Sequence, residues 1–107
     1  MPKKSIVPDQ IRFTQMTSLL IQYATLRGWG LTYSDAYAKS GHRKGSFHYR
    51  RLAVDFNLFL WDKEKKKWVY QRSTKAHEKL GLFWELIGGT WGGRFKDGNH
   101  YSYLEGR

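Results

Sequence analysis

Four residues of this chain have side chains of the kinds that a hydrolytic metal centre would use: His48, Asp55, Asp97 and His100. Two histidines and an aspartate are ordinary zinc donors, and three such ligands leave one tetrahedral position open for water. A further group must take the water's proton and return it to a leaving amine. Asp97, three residues before His100 in a glycine-containing turn, is available for that. The first two candidates lie in Ser46-Phe47-His48-Tyr49-Arg50-Arg51-Leu52-Ala53-Val54-Asp55, the other two in Asp97-Gly98-Asn99-His100. If the two segments converge, the chain is a metal hydrolase; if they do not, it is a small basic domain. Each residue has a plainer reading alone. Asp-Gly is common turn chemistry, a single histidine is more often a surface or hydrogen-bonded residue than a ligand, and Asp55 could face solvent from a half-exposed strand.

The elements that must position these residues are legible as periodicities. Phe13, Met16, Leu19, Leu20, Tyr23 and Ala24 recur at three-and-four spacing, which predicts a helix from about Gln10 to Arg27, stopped by Gly28. Trp29 to Tyr33 alternates as a short strand, and Ser34 to Gly45 reads as a short helical turn followed by a loop. Leu52 to Trp61 reads as the central strand, with Val54 and Phe56 on one face and Ala53, Asp55 and Asn57 on the other. A charged turn, 62–67, leads to a returning strand at Trp68-Val69-Tyr70. Ser73 or Thr74 can cap a second helix through Ala76, Leu80, Phe83, Trp84 and Ile87, ending at Gly88-Gly89. Residues 91–98 read as a glycine-rich loop and 100–103 as a last strand lying beside the central one. The expectation is an α+β unit with two main helices packed on a small antiparallel sheet, one domain over 1–107. His42 and His77 lack a comparable context, and His77 is expected on a helix surface.

Composition narrows the chemistry. With no cysteine, disulfide scaffolds, thiolate metal sites and cysteine nucleophiles are excluded together, so any metal is held by histidine and carboxylate. Five Trp, seven Tyr and six Phe let a 107-residue chain bury a sizeable core. A formal charge of +10 predicts attraction to polyanions, whether nucleic acid or an anionic bacterial envelope. Tryptophan and tyrosine interleaved with lysine and arginine keep a basic nucleic-acid-binding module open as an alternative. No stretch approaches the roughly twenty apolar residues of a membrane span, and no apolar signal core follows Met1-Pro2-Lys3-Lys4. The chain is therefore expected to be made and to fold in a cytoplasm.

Ser46-x-His48, Ala53-x-Asp55 and Asp97-x-x-His100, in that order, resemble the zinc-binding pattern of the D-Ala-D-Ala metallopeptidase family. That family includes D-Ala-D-Ala carboxypeptidases and the L-alanyl-D-glutamate endopeptidases of bacteriophage lysis. The similarity continues through residues 51–59 and 84–95 and is greatest to the short, single-domain phage proteins. It implies the small α+β fold shared with the hedgehog signalling domain, with zinc held by His48, Asp55 and His100. It implies Asp97 as general base and Ser46 as a supporting hydrogen-bond partner. The implied activity is hydrolysis of an amide bond in the peptidoglycan stem peptide, by a phage endolysin of the endopeptidase type or by a D-Ala-D-Ala carboxypeptidase. Such an enzyme would act as a monomer on the wall after release from the host cytoplasm, with no nucleic-acid partner. Two positions depart from the pattern. Arg51 stands where the family usually has glycine, and Ala38 where many relatives carry an arginine; Arg43, Arg50 or Arg51 would substitute for it at the substrate. A carboxypeptidase needs a cation for the terminal carboxylate, so the missing arginine inclines the reading towards the endopeptidase.

Overall fold

The computed structural model describes residues 5–35 and 50–105. Helix α1 spans Val7–Leu26, and strand β1 spans Gly30–Asp35. They are followed by β2 (Ala53–Asp62), β3 (Lys67–Gln71), a 3₁₀ turn at Lys75–His77, α2 (Glu78–Leu86), β4 (Thr90–Trp91), a second 3₁₀ turn at Gly92–Phe95, and β5 (His100–Ser102). The five strands form one antiparallel sheet in the order β1-β2-β5-β4, with β3 also paired to β2. This is the expected α+β arrangement.

Helix α1 begins three residues before the expected start. Pro8 falls in its first turn, where a missing N–H costs nothing, and the Val7 N–H donates to Ser5 Oγ at 3.1 Å. Its buried face is Phe13, Met16, Leu20 and Ala24. Against it pack Val54, Phe56 and Leu58 from β2, Leu80 and Trp84 from α2, Trp91 and Tyr101. The alternation read from β2 holds: Val54, Phe56 and Leu58 are buried on the helical side, while Asp55 and Asn57 are half-buried on the other. Trp84 is fully buried and donates its indole N–H to the Ser102 carbonyl at 2.8 Å, so the largest core side chain also pins β5.

Several local expectations change. Ser34 and Asp35 continue β1, and the rest of the expected helical turn and loop lies outside the described residues. The stretch expected to be a glycine-rich loop, 91–98, instead begins with the second residue of the two-residue strand β4 and continues through a 3₁₀ turn. Ser73 caps the second helical segment, accepting from the Ala76 N–H at 3.1 Å. Thr74 instead uses its hydroxyl oxygen to accept from the Gly98 N–H at 3.2 Å. His77 is not on a helix surface. It is only 3% exposed, because the chain enters α2 through a 3₁₀ turn that rotates its ring inward. There it shares a 2.8 Å hydrogen bond with the Tyr101 hydroxyl. Burial lowers the His77 pKa to about 4 and raises that of Tyr101 above its ordinary value.

The turn into β2 keeps its glycine-like backbone without the glycine. Arg51 has φ 57°, in the left-handed region, a conformation costing a non-glycine residue about 1–2 kcal/mol. Gln10 of α1 steadies it, donating from Nε2 to the Arg50 carbonyl at 2.9 Å. The Tyr103 N–H donates to the Leu52 carbonyl at 2.9 Å just beyond.

Two outcomes are expected. His77 is neutral when folded and titrates near 6.5 when unfolded, so the unfolded chain binds the extra proton between pH 6.5 and about 4. Its contribution is complete above pH 6.5 and falls by about 3 kcal/mol as the pH drops through that window. Urea unfolding at pH 7 and 4.5 should show the fall, and His77→Asn should flatten it. At Arg51, both Arg51→Ala and Arg51→Gly remove the guanidinium, but only the second relieves the backbone. The Gly variant should be more stable than the Ala variant by about 1 kcal/mol.

Candidate active site

Strands β2 and β5 lie side by side in a register that sets Asp55 directly opposite His100. Opposed residues of an antiparallel pair project from the same face, here the face turned away from the helices. The His100 Nδ1 and Asp55 Oδ1 atoms are 3.1 Å apart. On its other edge the ring meets Glu105, with Nε2 2.8 Å from Oε1. Both partners are largely shielded, the Asp55 side chain being 20% and that of Glu105 11% exposed. Burial alone lowers the imidazole pKa. The hydrogen bonds and charges of Asp55 and Glu105 outweigh it and hold the pKa above 6.5.

Glu105 went unnoticed in the sequence because nothing in its spacing marks it. It follows a turn in which Leu104 takes φ 68°, and Thr90 of β4 donates its hydroxyl to the Glu105 carbonyl at 2.9 Å. That fold-back, which depends on a two-residue strand, delivers the carboxylate to His100.

The turn from Asp97 to His100 is held from three directions. The His100 N–H donates to the Asp97 carbonyl at 3.1 Å, and the Asp97 N–H donates to the Gly92 carbonyl at 3.0 Å. Trp91 donates its indole N–H to the Gly98 carbonyl at 2.8 Å, and the Thr74 hydroxyl receives the Gly98 N–H. Gly92 is required by contact: a Cβ there would lie 2.3 Å from the Asp97 carbonyl oxygen and 2.7 Å from the His100 Cβ. The Asp97 side chain is exposed.

The structure thus brings together Asp55 and His100 and sets Asp97 on the turn that delivers His100. Arg50 enters through its carbonyl bond to Gln10. Arg51 lines a recess with Val7, Gln10, Ile11, Thr14 and Gln15 of α1. Ser46, His48 and Arg43 lie outside the described residues. Among the described residues no cluster of three or more His, Cys, Asp or Glu is arranged to hold a metal, so a metal site would need a further ligand from outside them, the part expected of His48. The Asp55–His100 pair fits such a site. Two ligands each about 2.0–2.1 Å from a tetrahedral zinc stand about 3.3 Å apart, close to the observed 3.1 Å. The second ring nitrogen of His100 already has the carboxylate partner that metal-ligating histidines usually have.

Comparison with known proteins points the same way. Residues 40–103, more than half of the chain, match the family model described as D-alanyl-D-alanine carboxypeptidase. No curated protein matches the chain. The matched span includes His48, Asp55, Asp97 and His100.

Gly92→Ala tests the turn. The added methyl group should push the Asp97 carbonyl away from its hydrogen bond and destabilise the protein by about 1–3 kcal/mol. Denaturant unfolding measures that cost, and the same variant should lose most hydrolytic activity.

Proposed function

Because the chain belongs to the D-alanyl-D-alanine carboxypeptidase family of peptidases acting on peptidoglycan, we propose that it is a zinc-dependent endolysin. In this reading it hydrolyses an amide bond of the stem peptide, between L-alanine and D-glutamate. The observation that carries the zinc reading is the Asp55–His100 pair, donor atoms 3.1 Å apart, with the far nitrogen of His100 on Glu105. His48, Asp55 and His100 would hold the ion. Zinc bound there would supply a Lewis acid for the scissile carbonyl and the attacking water.

The chain's own residues divide the rest of the work. Glu105 accepts a hydrogen bond from His100 Nε2–H, which fixes the ring plane and turns Nδ1, on the Asp55 side, towards the ion. Asp97, on its fixed turn and exposed to solvent, takes the proton of the attacking water and hands it to the leaving amine. Ser46 supports the site by hydrogen bonding, and Arg43, Arg50 or Arg51 meets a substrate carboxylate. The +10 charge suits an enzyme that must find an anionic envelope from the host cytoplasm as a monomer. No described helix is long and apolar enough to cross a membrane. In this reading a partner that opens the membrane gives the enzyme access to the wall.

A D-Ala-D-Ala carboxypeptidase is the second reading, favoured by the description of the matching family and served by the same residues. Digestion of purified peptidoglycan, with the new termini identified by mass spectrometry, separates the two. Free D-alanine as the sole product would establish the carboxypeptidase.

Asp97→Ala should retain stoichiometric zinc and lose turnover, whereas His100→Ala should lose both. Glu105→Ala should weaken zinc binding about 10–100-fold, read by chelator competition, and Glu105→Gln, which still accepts from Nε2, should recover part of it. Protons compete for His100 Nδ1, whose pKa is raised. Apparent zinc affinity should therefore fall as the pH drops through that pKa and level off above it.

A further inference from the structure

The face of the sheet that carries Asp55 and His100 continues along β2 into an exposed row of aromatic rings. Side chains of one strand share a face at every second residue, so Asp55, Asn57, Phe59 and Trp61 project together. The register sets Tyr70 opposite Phe59 and Trp68 opposite Trp61 on that face. The rings form two cross-strand pairs, Phe59–Tyr70 at 5.6 Å and Trp61–Trp68 at 5.4 Å between centroids. Trp61, Trp68 and Tyr70 remain 46%, 51% and 52% exposed.

The row is seated as well as exposed. The Trp68 ring reaches across the sheet to Gly30 of β1, where a Cβ would stand 3.1 Å from it. Gly30, Leu31, Thr32, Phe59 and Trp68 enclose a recess of about 340 Å³. Between this recess and Asp55 lies one polar step, Asn57, whose Nδ2 donates to Thr32 Oγ1 at 3.2 Å. At about 3.3 Å per residue along the strand, the aromatic row begins about 13 Å from Asp55 and ends about 20 Å from it.

We propose that this aromatic face is a second binding site, which takes the glycan strand of peptidoglycan while the peptide enters at Asp55 and His100. The proposal rests on the peptidase reading of that site. A peptidoglycan peptide is covalently attached to a ribbon of pyranose rings, so sugars are carried wherever the peptide goes. The C–H face of a pyranose bears partial positive charge and packs against the negative face of an aromatic ring. Rings held by one edge and open on one side are pre-organised for it. The hairpin's shape favours sugar over a lipid surface. Its tip, Asp62-Lys63-Glu64-Lys65-Lys66-Lys67, is charged throughout, and the rings lie along the flank and not at the end that would enter a bilayer.

The test is retention on bare glycan strands, prepared from peptidoglycan by enzymatic removal of the stem peptides. The wild-type chain should co-sediment with them. Trp61→Leu and Trp68→Leu, which keep apolar bulk without an aromatic face, should each bind about three- to tenfold more weakly. Trp61→Phe should bind nearly as wild type. Val69→Thr, on the opposite face of the hairpin, should leave retention unchanged. Equal retention of the Leu and wild-type proteins would overturn the proposal, as would an equal loss in Val69→Thr, which would indicate hairpin integrity alone. So would retention by anionic phospholipid vesicles or a single-stranded oligonucleotide with none on glycan. Failure of the wild type to release new peptide termini from intact peptidoglycan would sink the peptidase reading instead, and glycan retention is read without it.

Discussion

The site depends on one register: β5 lies against β2 so that His100 faces Asp55. A slip of β5 by one residue would send His100 to the helical side, away from Asp55, and bring Tyr101 out of the core. Burial of the alternate residues prevents this. Tyr101 and Val54 form the next pair, and both sit in the core against Trp84. The indole of Trp84 holds the Ser102 carbonyl, and the Asn99 carbonyl accepts the Phe56 N–H just before the strand begins. The polar pair therefore inherits its position from apolar packing on the other face. Packing and chemistry are two sides of the same three-residue pairing.

Its electrostatics follow from that placement. A buried imidazole between two carboxylates is favourable only when it carries charge or gives up its lone pair to a cation. Without a cation the proton serves, which is why the pKa of His100 is raised while that of His77, buried beside a neutral hydroxyl, is lowered. The two histidines are equally concealed, and their neighbours alone send them in opposite directions. An excess of negative charge around His100 is what a cation site needs before it is filled.

Helix α1, the central strand, its hairpin and the two faces of β2 were legible because each is a repeated pattern of side chains. The pairing of the last strand with the central one could be anticipated from Asp55 and His100 together. The illegible parts are short or depend on contacts distant in sequence. Strand β4 has two residues, too few for a period. His77 is buried because a 3₁₀ turn precedes α2, and hydrophobic spacing does not distinguish that turn from a helical one. Glu105 reaches His100 only through the fold-back at Leu104. Arg51 shows the converse: the family pattern expects glycine, and the backbone keeps the glycine conformation although the side chain has changed.

Strand β2 outruns the layer that covers it, and this divides its labour. Through Leu58 its helical face is buried, whereas at Leu60 and Trp61 both faces are open to solvent. The covered half can hold Asp55 rigidly and in a low-dielectric setting, as proton transfer and metal binding require. The open half has no core to hold it and relies on cross-strand ring pairs and on Trp68 lying over Gly30. Among the described residues, those same rings form the large apolar surface that continues from the site along the strand. A polymeric substrate needs a second point of attachment some distance from the bond to be broken, because one peptide held at one site leaves the rest of the chain free to swing. A strand that is rigid at one end and bare at the other supplies both, at a fixed separation and orientation.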